Sequence, residues 1–253
     1  VRPKMVDDAG QDQPLKILYQ DDTLVAIDKP GGLLVHRSPI DKRETRFAVQ
    51  QLRDQIGQHV FPVHRLDRPT SGVLLFAYDG STASELGMQM MARTVQKEYF
   101  AIVRGFIHGC GLIDYDLKFR PDKIADKHRG DIPPQPATTE YHPLARYELP
   151  IASGRYETSR YTAVKLKPTT GRKHQLRRHM VHLRHPIVGD TTHGDGKQNK
   201  FLKTRFGFNN LALTCTRIVI KHPVSGESLE IKTGPRTEML DLLTAWAEYL
   251  TIN

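Results

Sequence analysis

The stretch His64-Arg65-Leu66-Asp67-Arg68-Pro69-Thr70-Ser71-Gly72-Val73-Leu74-Leu75-Phe76-Ala77 passes from a charged, turn-forming loop straight into an unbroken apolar run. A short apolar run bounded by Gly72 and by Asp79-Gly80 suits a strand covered on both faces. Working outward, Leu15–Tyr19 and Leu24–Ile27 flank Asp21-Asp22 as the arms of a hairpin, and Lys29-Pro30-Gly31-Gly32 breaks the second arm before Leu33-Leu34-Val35 extends again. Phe47, Val49, Leu52 and Ile56 fall on one helical face, and a helix from about Ser81 carries Ala83, Leu86 and Met90 inward. Further strands are expected over Lys97–Arg104, Ala137–Tyr147, Ser159–Leu166, Leu211–Ile220 and Leu229–Ile231, with a terminal helix over Thr237–Leu250. Strands outnumber helices and come in hairpins, which predicts an α+β fold with a mixed, mainly antiparallel sheet.

Residues 1–13 are polar and read as a tail or tag; residues 14–253 read as a single domain, since no flexible linker divides them. Lys and Arg number 37 against 28 Asp and Glu, a surplus of +9 that favours a polyanionic partner. Cys110 and Cys215 fit no metal or redox spacing, and two buried, reduced thiols in the cytoplasm are expected. No apolar run is long enough to span a membrane, and the first residues lack the apolar stretch of a signal peptide. Residues 119–135 are polar and proline-rich, a long surface loop of the kind that often carries function.

Within the opening stretch, Asp67 sits between Arg65 and Arg68, where neighbouring positive charge favours the ionised carboxylate. On the residues alone two readings stand: a loop ion pair, which is the commoner arrangement, and a catalytic carboxylate at the mouth of a core strand. The segment from Arg172 to His185 holds Arg172, Lys173, Arg177, Arg178 and Arg184 with His174, His179, His182 and His185, and no acid. His179, His182 and His185 at three-residue spacing share a helix face, but the surrounding arginines repel a divalent cation. A surface facing phosphates is the better fit, so no metal is expected.

Five strings together resemble the RluA-type family of pseudouridine synthases: His64-Arg65-Leu66-Asp67 with Thr70–Leu75, Lys29-Pro30-x-Gly32, Lys97-x-Tyr99 with Ala101, Val103 and Gly105, Thr170–Arg177, and His185-Pro186-Ile187-x-Gly189-Asp190. They occur in family order across residues 15–231. The resemblance implies the pseudouridine synthase fold, with flanking helices and an RNA-binding cleft across the middle. It also implies an isomerase that everts a uridine, breaks its glycosidic bond and rejoins the base through carbon. It makes Asp67 the catalytic carboxylate, Arg65 the side chain that fills the vacated stack, Tyr99 the platform under the uracil and Leu176 an apolar wall. Arg177 becomes the partner that orients Asp67 as a bidentate pair. Arg172, Lys173 and Arg178 would then contact RNA.

Arg53–Phe61, Asp122–Lys127 and Gln135-Pro136-Ala137 resemble more closely the members that act on transfer RNA, which implies uridine 65 of tRNA as the target. Two departures from the family pattern stand out: His193 where a tyrosine is common, and Leu211–Cys215 without the usual histidine. No cofactor is implied, because there is no glycine-rich phosphate loop and no ligand cluster. A cytoplasmic monomer holding its RNA without an added S4-type module is expected. The competing readings are a ribosomal-RNA pseudouridine synthase, a non-catalytic RNA-binding protein of the same fold, and a ribonuclease using His64 with Asp67.

Overall fold

A computed structural model describes residues 13–37, 45–119, 132–153 and 156–251. Strands β1 (Lys16–Gln20) and β2 (Leu24–Lys29) form the expected hairpin. Its turn is tied by Asp21, whose Oδ1 accepts the N–H groups of Thr23 at 2.7 Å and Leu24 at 2.9 Å. The run Leu33–Val35 makes one bridge, Leu34 to Phe47, rather than a strand. Helix α1 (Ala48–Ile56) follows, then the short β3 (Phe61–Pro62) and β4 (Ser71–Ala77), which is buried along its whole length. Helix α2 (Gly80–Met91) starts at Asp79, which caps it through the N–H of Thr82. Strands β5 (Gln96–Arg104), β6 (Gly111–Asp114), β7 (Thr138–Leu149) and β8 (Ser159–Pro168) come next. After helices α3 (Gln175–His182) and α4 (Gly196–Phe206) come β9 (Leu213–Lys221), β10 (Ser228–Lys232), α5 (Thr237–Ala245) and β11 (Leu250–Thr251).

The strands make one sheet in the order β1-β2-β4-β9-β5-β8-β7-β11, with β3, β10 and β6 attached to β4, β9 and β7. Among the described strands every pairing is antiparallel but one: β4 and β9 run parallel through Ser71–Thr214 and Gly72–Cys215. The expected mixed, mainly antiparallel sheet is therefore the one found. That parallel joint is short, and it is where the two halves of the sheet meet.

Gly72 makes the joint possible. Its backbone is left-handed at φ 108°, and a Cβ there would lie 2.1 Å from the carbonyl oxygen of Cys215. Backbone cannot move aside as a flexible side chain can. Gly72→Ala is expected to cost about 2–5 kcal/mol of stability, combining left-handed strain with overpacking, as read by urea unfolding. A loss below about 1 kcal/mol would mean the joint is pliable.

Besides the Leu33–Val35 run, two helices differ from expectation, and of the two thiols expected to be buried Cys215 is, whereas Cys110 is exposed. The terminal helix stops at Ala245, because Trp246 turns into the core and stacks on Tyr161 at 4.5 Å, and Leu250 extends to pair with Tyr147. Helix α4 is fully buried only at Gln198 and Leu202, with Phe201 and Phe206 packing half-buried against the core. Its punctuation is nevertheless present: Asp195 accepts the N–H groups of Lys197 and Gln198, and Gly207 ends it at φ 69°. The loop expected over residues 119–135 is closed at its base by Leu117 and Gln135, and residues 120–131 lie outside the described residues. The tail of residues 1–12 and the string Asp122–Lys127 also lie outside them. No described helix is long and apolar enough to cross a membrane.

Candidate active site

The loop carrying Asp67 is held from below. Lys29, fully buried at the end of β2, donates to the carbonyl oxygens of Pro30 at 2.9 Å, Leu33 at 2.8 Å and Arg68 at 3.2 Å. Three acceptors match the three protons of an ammonium. Burial draws Lys29 down to about 7, against the upward pull of the Asp67 charge. Gly32 N–H also donates to the Arg68 carbonyl at 2.8 Å, and Arg68 Nε donates back to the Gly32 carbonyl at 3.0 Å. Thr70 N–H closes the turn on the Asp67 carbonyl at 3.0 Å. The role of Lys29-Pro30-x-Gly32 is thereby visible: it fixes the backbone on which Asp67 sits.

Above the loop, Arg177 from α3 reaches Asp67 with one nitrogen, Nη1, at 3.3 Å from Oδ2. The bidentate pair expected between these two residues is instead made with Asp190. Arg177 Nε and Nη2 donate to Oδ2 and Oδ1 of Asp190, each at 2.7 Å. The reason is burial. The side chains of Arg177 and Asp190 are 3% and 1% exposed, whereas Asp67 is 28% exposed and open to solvent. A fully buried carboxylate needs complete pairing, so Asp190 takes the planar fork and also accepts the N–H groups of Thr192 and His193 at 2.9 Å. Burial alone would raise the Asp190 carboxyl, but the guanidinium and the two backbone donors hold it below its ordinary value. Burial likewise pulls Arg177 down, and Asp190 and Asp67 together more than offset it. Arg177 is thus a guanidinium fixed elsewhere, with its Nη1 left to aim at Asp67.

Tyr99 lies buried on β5, paired with Cys215 of β9 and Leu166 of β8. Burial pushes its phenol well above the usual range, Cys215 adds to this, and the Asp67 charge is close enough to contribute. Leu176 is buried beside Arg177, and Arg65 is exposed on the Asp67 loop. Lys173 and Arg178 line a pocket with His174, whose Nε2 is 3.9 Å from Asp67 Oδ2. Arg172 is turned elsewhere: its Nε donates to the carbonyl of Pro136 at 3.1 Å.

The three histidines expected on one helix face part company. α3 ends at His182, and Arg184 takes a left-handed backbone at φ 62° before His185. His179 bonds Thr139 Oγ1, the ring of His182 stacks on Tyr115 at 3.8 Å, and His185 bonds the Arg104 carbonyl. Among the described residues no three His, Cys, Asp or Glu side chains converge as metal ligands. His64 turns its Nε2 to the N–H of Leu75 at 3.2 Å, and burial lowers its pKa to about 3. A neutral ring engaged with β4 is poorly placed to share acid–base work with Asp67.

The sequence strings gave roles to Asp67 and Arg177 but none to Lys29, His174 or Asp190. Asp190 carried a readable signal, since a lone acid following a run of arginines is the natural counter-charge to one of them.

Residues 23–182 match the model of the RNA pseudouridylate synthase family. The tRNA pseudouridine synthase C of Vibrio cholerae is 52% identical over 242 residues, covering 94% of this chain and 99% of the relative. That of Haemophilus ducreyi is 55% identical over 217 residues, covering 86% of this chain and 89% of the relative. Among solved structures, human RNA pseudouridylate synthase domain containing 4 superposes with a TM-score of 0.67 at 24% identity, covering 94% of each chain, a likeness of fold. With a family match over most of the sheet, relatives identical at half their positions and an arginine-held carboxylate at the mouth of the central joint, the chain belongs to the RNA pseudouridylate synthase family of isomerases.

Proposed function

We propose that this chain converts a uridine of transfer RNA, uridine 65, to pseudouridine, with Asp67 as the attacking carboxylate. The observation that carries the reading is the asymmetry around Arg177. Two of its nitrogens are spent on buried Asp190, and the third points at Asp67, which stays open to solvent on one side. A carboxylate held in place yet accessible can meet the sugar C1′ or the base of an everted nucleotide. Tyr99 and Leu176 supply the platform and apolar wall for that base, while Arg65, exposed on the same loop, fills the gap left in the RNA stack. Transfer RNA is favoured as substrate because the relatives that share half their residues with this chain are named for it.

In the reaction the C1′–N1 bond breaks, the uracil turns, and C1′ bonds to C5, which gives up its hydrogen to water while the freed N1 takes up a proton. Transfer RNA labelled with tritium at uracil C5 is expected to release one tritium per molecule. The product should carry pseudouridine at position 65. Release from ribosomal RNA alone would move the activity to that substrate. Strand scission without release would leave the ribonuclease reading in its place.

A further inference from the structure

Beside Asp67 lies a pocket of about 130 Å³ lined by Lys173, His174, Arg178, Thr192 and His193. Every lining side chain can donate a hydrogen bond, and no carboxylate is among them. Such a lining suits an anion. Neither Tyr99 nor Leu176 borders it, so it is separate from the place proposed for the uracil.

The imidazole of His174 is the partition between the two places. Its Nε2 faces Asp67 Oδ2 at 3.9 Å, and its Nδ1 lies 2.8 Å from His193 Nε2. An ionised carboxylate only accepts, so it favours the tautomer of His174 with hydrogen on Nε2. Nδ1 then accepts, and His193 Nε2 is the donor. The order of donation therefore runs from His193 to His174 and on toward Asp67. The arrangement is held against a local cost: His174 caps α3 with a left-handed backbone at φ 54°, which for a non-glycine residue is worth roughly 1 kcal/mol or more. Arg178 is braced by donating from Nη2 to the Lys118 carbonyl at 2.9 Å, and His193 N–H is fixed by Asp190.

We propose that this pocket seats the backbone phosphate flanking the everted uridine, with Lys173, Arg178 and Thr192 as its donors and the hydrogen-bonded His193–His174 pair as the wall between phosphate and Asp67. The inference rests on the uridine isomerisation proposed above and adds to it a specific ligand group. A nucleotide with its sugar at Asp67 has its own phosphate one sugar away, on the far side of a single imidazole ring. Of the lining side chains, His193 is the one standing where the family often has tyrosine, so the wall of the phosphate site would differ here from that of such members.

The test uses full-length tRNA transcripts carrying an uncharged methylphosphonate at either the 5′ or the 3′ phosphate of the target uridine. Tritium release is followed with the native protein and with Lys173→Ala/Thr192→Val. Neutralising one of the two phosphates is expected to raise the native KM about tenfold, the size of a lost charge-assisted hydrogen bond. The double variant should show a similar KM on the unmodified transcript, a kcat reduced by less than about threefold, and no further loss on the modified one. Should the double variant melt early, Lys173→Ala, an exposed position, carries the same comparison at smaller amplitude. Losses that multiply for both phosphates would overturn the subsite and leave the isomerase reading standing. No release from the unmodified transcript by native protein would overturn both.

Discussion

Asp67→Asn is expected to lose tritium release by roughly 10³-fold or more while still folding and binding RNA. The size follows from what the substitution removes. Asparagine has nearly the same shape and keeps an oxygen for Arg177 Nη1, which approaches Asp67 at 3.3 Å. It cannot attack carbon or take a proton at neutral pH. Folding should be spared because Arg177 owes its charge balance to Asp190, with paired contacts at 2.7 Å that the substitution leaves alone. Asp67 is also partly exposed, so the amide adds no buried unpaired group. RNA affinity measured by filter binding should change by less than about threefold, since the removed charge repels phosphate. Release at the native rate would take Asp67 out of the chemistry altogether, whatever else the family match supports.

How much of this was legible beforehand differs between backbone and side chains. The hairpin at Asp21-Asp22, the buried run Val73–Ala77 and the strand at Tyr99 could be read because alternation and turn residues are local signals. Helix α4 gives only a weak periodic signal, since polar Gln198 and Asn199 share its packed side with Phe201, Leu202 and Phe206. Asn199 accepts the N–H of Gly189 and donates to the carbonyl of Asp190, so this polar helix braces the turn that holds the arginine. Asp67 and Arg177 were readable through their motifs. The identity of the bidentate partner was not, because it is decided by which of two carboxylates is the more buried, a property of the assembled fold. His174 and His193 were visible as residue types, but their contact joins the start of α3 to the turn after Asp190, nineteen positions on.

Asp190→Ala is expected to cost about 3–5 kcal/mol of stability and most of the activity. Removing one member of a buried ion pair strands the other, and the Arg177 side chain, 3% exposed, has no water to turn to. The N–H groups of Thr192 and His193 lose their acceptor at the same time. Among the described residues Asp67 is the other carboxylate that Arg177 reaches, so the guanidinium should close on it and hold it against the pocket wall. The loss should depend on pH in a defined sense. The folded-state pKa of Asp190 lies below its unfolded value near 3.8. Its contribution is therefore full above that value and fades as pH falls through the folded one, so native and variant unfolding curves should converge in acid. Asp190→Ala/Arg177→Met separates the two roles. With the stranded charge replaced by an apolar chain of similar length, much of the stability should return. Tritium release should not, because Asp67 would then have a stable protein around it and no guanidinium to fix its position.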